Sequence, residues 1–177
     1  MKKKEHAMNS TYNPGEYVFF FHENDEYGYF SNWYPCIFSI DGIEYQNTEQ
    51  YFMAQKALLF GDMVSFKKII ETPSPNDCKN LGRAVSPFIS AIWNSKRYEI
   101  MKMGNHAKFT QNSELQQRLL DTGNAILAEA SPYDGIWGIK LSAKEAEKME
   151  PVLWPGMNLL GRLLMELREE FRLMQDD

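Results

Sequence analysis

A chain of 177 residues, 44% of them hydrophobic, with 11 Gly and 8 Pro, is long enough to bury the core of one compact domain. Its net charge of -5 excludes a surface basic enough to grip long nucleic acid non-specifically, and leaves room only for a local basic pocket. Two cysteines (Cys36, Cys78) and three histidines (His6, His22, His106) show neither a disulfide framework nor paired metal-ligand spacing, so no metal and no cofactor is expected.

The first residues, MKKKEHAMNS, lack the apolar run of a signal peptide, and no stretch approaches the ~18 apolar residues of a membrane span. The expectation is a cytoplasmic protein, with a flexible extension over residues 1–14 and one domain over 15–175. Tyr17 to Phe21 reads as a strand. Cys36 to Tyr45 reads as a hairpin turning on Asp41-Gly42, a pair that accepts the positive φ angles of a tight turn. Asn47, with Gln50 three residues on, predicts a helix through TEQYFMAQKALLF that Gly61 stops.

Asp62 before MVSFKKII and Ser74 before Pro75 mark two more helix starts. A helix is expected over about Asn94 to Lys108, weakened or ended by Gly104. Ser113 with Gln116 predicts a cap for LQQRLL, which runs to Gly123. AILAEA and IWGIKL read as two short buried strands around the turn from Ser131 to Gly135. Ser142 with Glu145 is a further cap.

After WPGMN a final helix places Leu159, Leu160, Leu163, Leu164, Leu167 and Phe171 on one face. Arg162, Glu166, Arg168, Glu169 and Arg172 largely cover the other. With no repeat and no linker rich in Pro, Gly or Ser, the fold class is α+β: a single domain with a small mixed β-sheet packed by several helices.

Three windows carry candidate chemistry. In TEQYFMAQKA, Glu49 and Lys56 stand two turns apart on one helical face. In the first turn the helix dipole favours an ionised Glu49, able to steady a cationic sugar or activate water. Lys56 is able to bind phosphate, or to act as a nucleophile if burial lowers its pKa. A solvated acid and a solvated lysine are the bland alternative.

In EASPYDGIWGIKL, Glu129 falls at a strand end and Asp134 on a turn beside Trp137 and Gly138, where a carboxylate is either a turn former or a catalyst. In WPGMNLLGRLL, Asn158 opens the last helix, whose free N–H groups are expected to make a phosphate site; a simple helix cap is the alternative. Asn32 in FSNWYP is a candidate for a ribose hydroxyl or a base amide. Trp33 and Trp93 are candidates for stacking on a flat base, or for plain core.

In order along the chain, EYGYFSNWYPCIFSIDGIEYQNTEQYFMAQKA, LGRAVSP, WNSKRYEIM, AKFTQNSELQQRLLDTG, EASPYDGIWGIKL and GMNLLGRLLMELRE resemble the YbiA/NADAR family over about residues 26–170. The resemblance implies a small α+β fold and metal-free hydrolysis of N-glycosidic bonds. It implies as substrates phosphoribosylamino-pyrimidine intermediates of riboflavin synthesis or ADP-ribosylated guanine in DNA or RNA, with NAD or ADP-ribose also proposed for the family.

Carried over by position, the family's site pattern falls on Asn32, Glu49, Lys56, Trp93, Asp134, Trp137 and Asn158. The chain departs from many relatives at Trp93-Asn94, where WD is common, and at Lys140, where a small residue is usual.

Glu49 is then expected on the sugar side, activating water, and Asp134 orienting ribose hydroxyls or assisting proton transfer. Trp93 or Trp137 would stack, and Lys56 with Asn158 would hold phosphate. In a variant route Lys56 attacks and forms a Schiff base with opened ribose. The rival is a module that binds ADP-ribose or NAD and catalyses nothing. The partners expected are a small nucleotide-like substrate or ADP-ribosylated nucleic acid, with no membrane and no obligate protein partner.

Overall fold

The computed structural model describes residues 16–175; the extension expected over residues 1–14 lies outside them. In chain order the elements are β1 (Tyr17–Phe20), β2 (Phe38–Ile40), β3 (Ile43–Tyr45), α1 (Thr48–Leu59), α2 (Met63–Ile70), α3 (Pro75–Arg83), α4 (Ser90–Thr110), α5 (Ser113–Leu120), β4 (Ile126–Glu129), α6 (Ala143–Ala146) and α7 (Leu159–Gln175). The class is α+β, but among the described residues the strands form two two-stranded sheets and not one mixed sheet.

β2 and β3 make the hairpin expected at Asp41-Gly42, where φ is 52° and 77°. β1 pairs in parallel with β4, from Tyr17 opposite Ile126 to Phe20 opposite Glu129, so residues far apart in sequence share one ladder. Phe21 lies just beyond β1. IWGIKL forms no strand. Its backbone is used differently: the carbonyls of Gly135, Ile136, Trp137, Gly138 and Ile139 accept the amides of Met157, Leu159, Leu160, Asn158 and Gly156. The loop is thereby fastened to the entrance of α7.

α1 is the central helix and packs against α2, α3 and α4. Asn47 caps it by accepting from the Gln50 amide at 2.9 Å. Gln50 does not complete the box on Asn47; its Oε1 accepts from the Gln46 amide, and its Nε2 donates to the carbonyls of Ile69, Ile70 and Thr72. Gln50 thus ties α1 to the end of α2.

α4 begins earlier than the sequence predicts and runs through Gly104 without a break. A Cβ at Gly104 would stand 2.5 Å from Tyr51 Cδ1, so the missing side chain is what lets α4 approach α1. Ser113 lies inside α5 and does not cap it; the Asn112 side chain instead donates to the carbonyls of Ile37 and Lys108. Ser142 and Glu145 form a full capping box on α6.

The core lies between α1, α4, α7 and the β1–β4 pair. Leu160, Leu163, Leu164, Leu167 and Phe171 of α7 are at most 1% exposed, while Leu159 at the helix start is half-buried. Arg168 departs from the expected polar face. It is buried, and its Nη1 donates to Thr122 Oγ1 and the Ala125 carbonyl. A smaller cluster under Trp154 joins Ala128, Ala130, Ile139 and Ala146.

Candidate active site

Four elements direct side chains into one cavity of about 350 Å³. α1 supplies Glu49, Phe52, Met53 and Lys56, the i, i+3, i+4, i+7 face of a helix. α3 supplies Lys79 and Arg83 one turn apart, α4 supplies Trp93, Arg97 and Met101 at the same spacing, and β4 ends in Glu129. Loops 31–33 and 134–137 close the sides. A second cavity of about 410 Å³ adjoins and shares Ser31, Trp33, Lys79, Arg83, Glu129 and Asp134; it extends to Phe21, His22 and Tyr133.

Loop 31–33 is held from beneath. The Ser31 carbonyl accepts from Nζ of the fully buried Lys108 at 2.9 Å, and the Asn32 carbonyl accepts the Glu49 amide at 3.0 Å. Asn32 Oδ1 accepts from Asn105 Nδ2 at 3.1 Å. Burial of Lys108 without an acidic partner lowers its pKa to about 8, opposed by the nearby Cys36. The buried amine therefore serves the loop's backbone, and an apolar side chain there would leave Ser31 O without this donor.

Three acids meet in the cavity. Glu49 is 7% exposed, and burial pushes its carboxyl up to about 7. Lys79 and Arg83 oppose the shift, Asp134 adds to it, and a hydrogen bond from the Trp33 side chain lowers it again. The helix dipole expected to keep this acid ionised is thus outweighed by desolvation. Glu129 is pushed up to about 8, first by burial and then by Asp134 and Glu49, with Lys79 opposing.

Asp134 is a turn former that also faces the site. Its Oδ1 accepts the amides of Ile136 (2.7 Å) and Trp137 (2.8 Å), shaping the turn, while the residue also lines both cavities.

The aromatic wall is continuous. The Phe52 ring lies 4.8 Å from Trp93 and 5.4 Å from Trp137, centroid to centroid. Trp33 lines both cavities, with Lys79 Nζ 5.7 Å from its ring centroid. Lys56 donates to the Gly82 carbonyl at 2.7 Å and sits 4.4 Å from the Phe88 ring centroid; burial lowers its pKa. It lines the cavity as a partly desolvated amine, not as a solvated lysine.

Asn32, Trp33, Glu49, Lys56, Trp93, Asp134 and Trp137 therefore share this cavity. Gly138 and Asn158 do not line it. Gly138 is buried where a Cβ would come within 2.9 Å of the Asp134 and Glu129 carbonyls, so its place is structural. Asn158, at φ 52°, donates to the Leu127 carbonyl and accepts the Glu129 amide, fastening α7 to β4.

The amides of residues 156–160 are already bonded to the 135–139 carbonyls, so the expected phosphate cradle at the start of α7 is filled by protein. Lys140 is exposed and lies outside the cavity lining.

Sequence reasoning missed the cations. Lys79, Arg83 and Arg97 line the cavity and carry the charge that the start of α7 does not offer. The one available signal was the i, i+4 spacing of Lys79 and Arg83, common on any solvated helix face. Among the described residues no group of three or more His, Cys, Asp or Glu side chains is placed to hold a metal ion.

The family model described as the NADAR domain matches residues 19–172 of the chain. N-glycosidase R617 of Acanthamoeba polyphaga mimivirus is 47% identical over 163 residues, covering 88% of this chain and 96% of its own length. N-glycosidase YbiA of Escherichia coli strain K12 is 34% identical, covering 94% and 92%. A riboflavin biosynthesis protein of Vibrio vulnificus, VVA0006, is 30% identical, covering 88% of this chain but 38% of that protein. The NMR structure of E. coli YbiA superposes with a TM-score of 0.77 at 32% identity, covering 92% of this chain and 89% of that one.

Proposed function

The chain belongs to the NADAR family and, like its relatives of that name, is an N-glycosidase; we propose that it hydrolyses the bond between ribose and a nitrogen base in a phosphorylated nucleotide-like substrate. The observation carrying this reading is the single cavity that joins buried Glu49, an aromatic wall and three cations. A flat base fits against Trp93, Phe52 and Trp137, and a phosphate against Lys79, Arg83 and Arg97.

Glu49 activates water and steadies positive charge developing at C1'. A carboxyl with a pKa near 7 is suited to that task, because it is free to take a proton at the pH where it works. Asp134 orients the ribose hydroxyls or assists proton transfer. Of the substrate classes, the name of the Vibrio relative favours phosphoribosylamino-pyrimidines over ADP-ribosylated guanine, and the net charge of -5 favours a small molecule. We assign the reaction to the cytoplasm, in keeping with two free, buried cysteines, Cys36 and Cys78.

The test is incubation of the purified protein with a phosphoribosylamino-pyrimidine, an ADP-ribosylated guanine oligonucleotide and NAD, with free base followed by chromatography. Release of base from one class, lost at least 100-fold in Glu49→Gln, is expected. Binding with no release from any class would establish a recognition module instead.

One observation favours a second route through the same cavity: burial lowers the pKa of the Lys56 amine, which lines it. In that route it attacks C1' and forms a Schiff base with the opened ribose. Borohydride trapping of an adduct that Lys56→Ala abolishes would select it.

A further inference from the structure

We infer that Glu129 is the proton donor of the reaction, a catalytic residue whose carboxyl protonates the departing base where the two chambers of the cavity meet. The inference rests on the N-glycosidase reading and assigns its leaving-group step.

Position separates the three acids. Glu49 lines only the chamber of about 350 Å³, whereas Glu129 and Asp134 line both chambers and so stand at the junction. A substrate with a group on either side of its scissile bond places that bond between them. Asp134 is already an acceptor, its Oδ1 taking two backbone N–H groups.

Glu129 differs. Its Oε2 is buried with no hydrogen-bond partner, an arrangement costly for an anion and suited to a neutral carboxyl, while the residue itself lines both chambers. Its backbone is fixed by the β1–β4 ladder opposite Phe20, by Asn158 Oδ1 on its amide and by the Ile139 amide on its carbonyl. The donor therefore projects from a rigid strand end.

The groups around it keep the proton on. Asp134 from the following loop and Glu49 from α1 add to burial, Lys79 from α3 opposes them, and Arg83, His22 and Glu23 line the second chamber. Burial pushes both carboxyls up, and the neighbouring Asp134 and Glu49 add to the rise at Glu129, which favours Glu129 as the acid that keeps its proton.

In the step, the C1'–N bond breaks and its electron pair remains on the base nitrogen, which takes the Glu129 proton. Water oxygen bonds to C1', and the proton it sheds goes to Glu49. Exchange with solvent returns one proton to Glu129 and removes one from Glu49, so one water is consumed and both acids are reset.

The test compares the wild type, Glu129→Gln and Glu129→Asp on two phosphorylated N-ribosides, with unfolding curves confirming that each variant folds. One carries a pyrimidine or purine base that must be protonated to leave. The other carries a pyridinium base, which departs neutral without a proton. For Glu129→Gln we expect a fall of about 100-fold or more on the first substrate, a change within about 3-fold on the second, and loss of the alkaline limb of the pH profile. Glu129→Asp is expected to retain that limb at reduced kcat.

Equal slowing of both substrates by Glu129→Gln, slowing of neither, or a persisting alkaline limb overturns the assignment and leaves the N-glycosidase reading standing. Wild-type protein that turns over neither riboside overturns both.

Discussion

Glu49 shows how one residue trades stability for a working pKa. The unfolded chain ionises this carboxyl near 4.5, but the folded chain holds its proton to about 7, so the native state binds more protons between those values. Stability therefore falls as pH rises through that window, and above about 7 the full cost is present. Glu49→Gln keeps the shape and removes the titration. Relative to the wild type it is expected to gain roughly 2–3 kcal/mol between pH 4 and pH 8, measured by urea unfolding at the two values, while losing turnover. A pH-independent difference would show that the acid is ionised in the fold.

At the scale of elements, the strand end carrying Glu129 is held by a different element through Asn158, on the entrance of α7. Asn158→Ala removes two hydrogen bonds and places a Cβ-bearing residue less tolerant than Asn at φ 52°. A loss of about 2–3 kcal/mol in stability is expected. Because the side chain positions β4 and does not touch phosphate, kcat is expected to fall with little change in KM, equally for phosphorylated and dephosphorylated substrate. A KM effect confined to the phosphorylated form would restore the phosphate role the sequence predicted for it.

For the whole molecule, the charge that matters is local. The chain carries -5 overall yet gathers Lys79, Arg83 and Arg97 on one cavity, so a phosphorylated ligand meets positive charge at the site. Arg83→Gln and Arg97→Gln are each expected to raise KM for a phosphorylated substrate about 10-fold and to leave a dephosphorylated one within about 2-fold. KM for the phosphorylated form is also expected to rise between 50 mM and 500 mM salt. Steady-state kinetics on the matched pair of substrates checks both.

By itself the sequence determined the local structure: the Asp41-Gly42 turn, the caps at Asn47, Asp62, Ser74 and Ser142, and the apolar stripe of α7. Each depends on backbone and side-chain preferences within a few residues. Motif order across the chain also identified the family and six of the residues that share the cavity, and the aromatic reading of FSNWYP added Trp33.

What only the tertiary structure decided were matters of distance and dielectric. Pairing β1 with β4 brings Glu129 beside Asp134 and Glu49, and three acids that look solvated in sequence become coupled. The IWGIKL segment, patterned as a strand, spends its carbonyls on α7 and closes the expected phosphate cradle, and the cations come from α3 and α4 instead. Burial and long-range pairing depend on which surfaces meet, and local spacing carries no record of that.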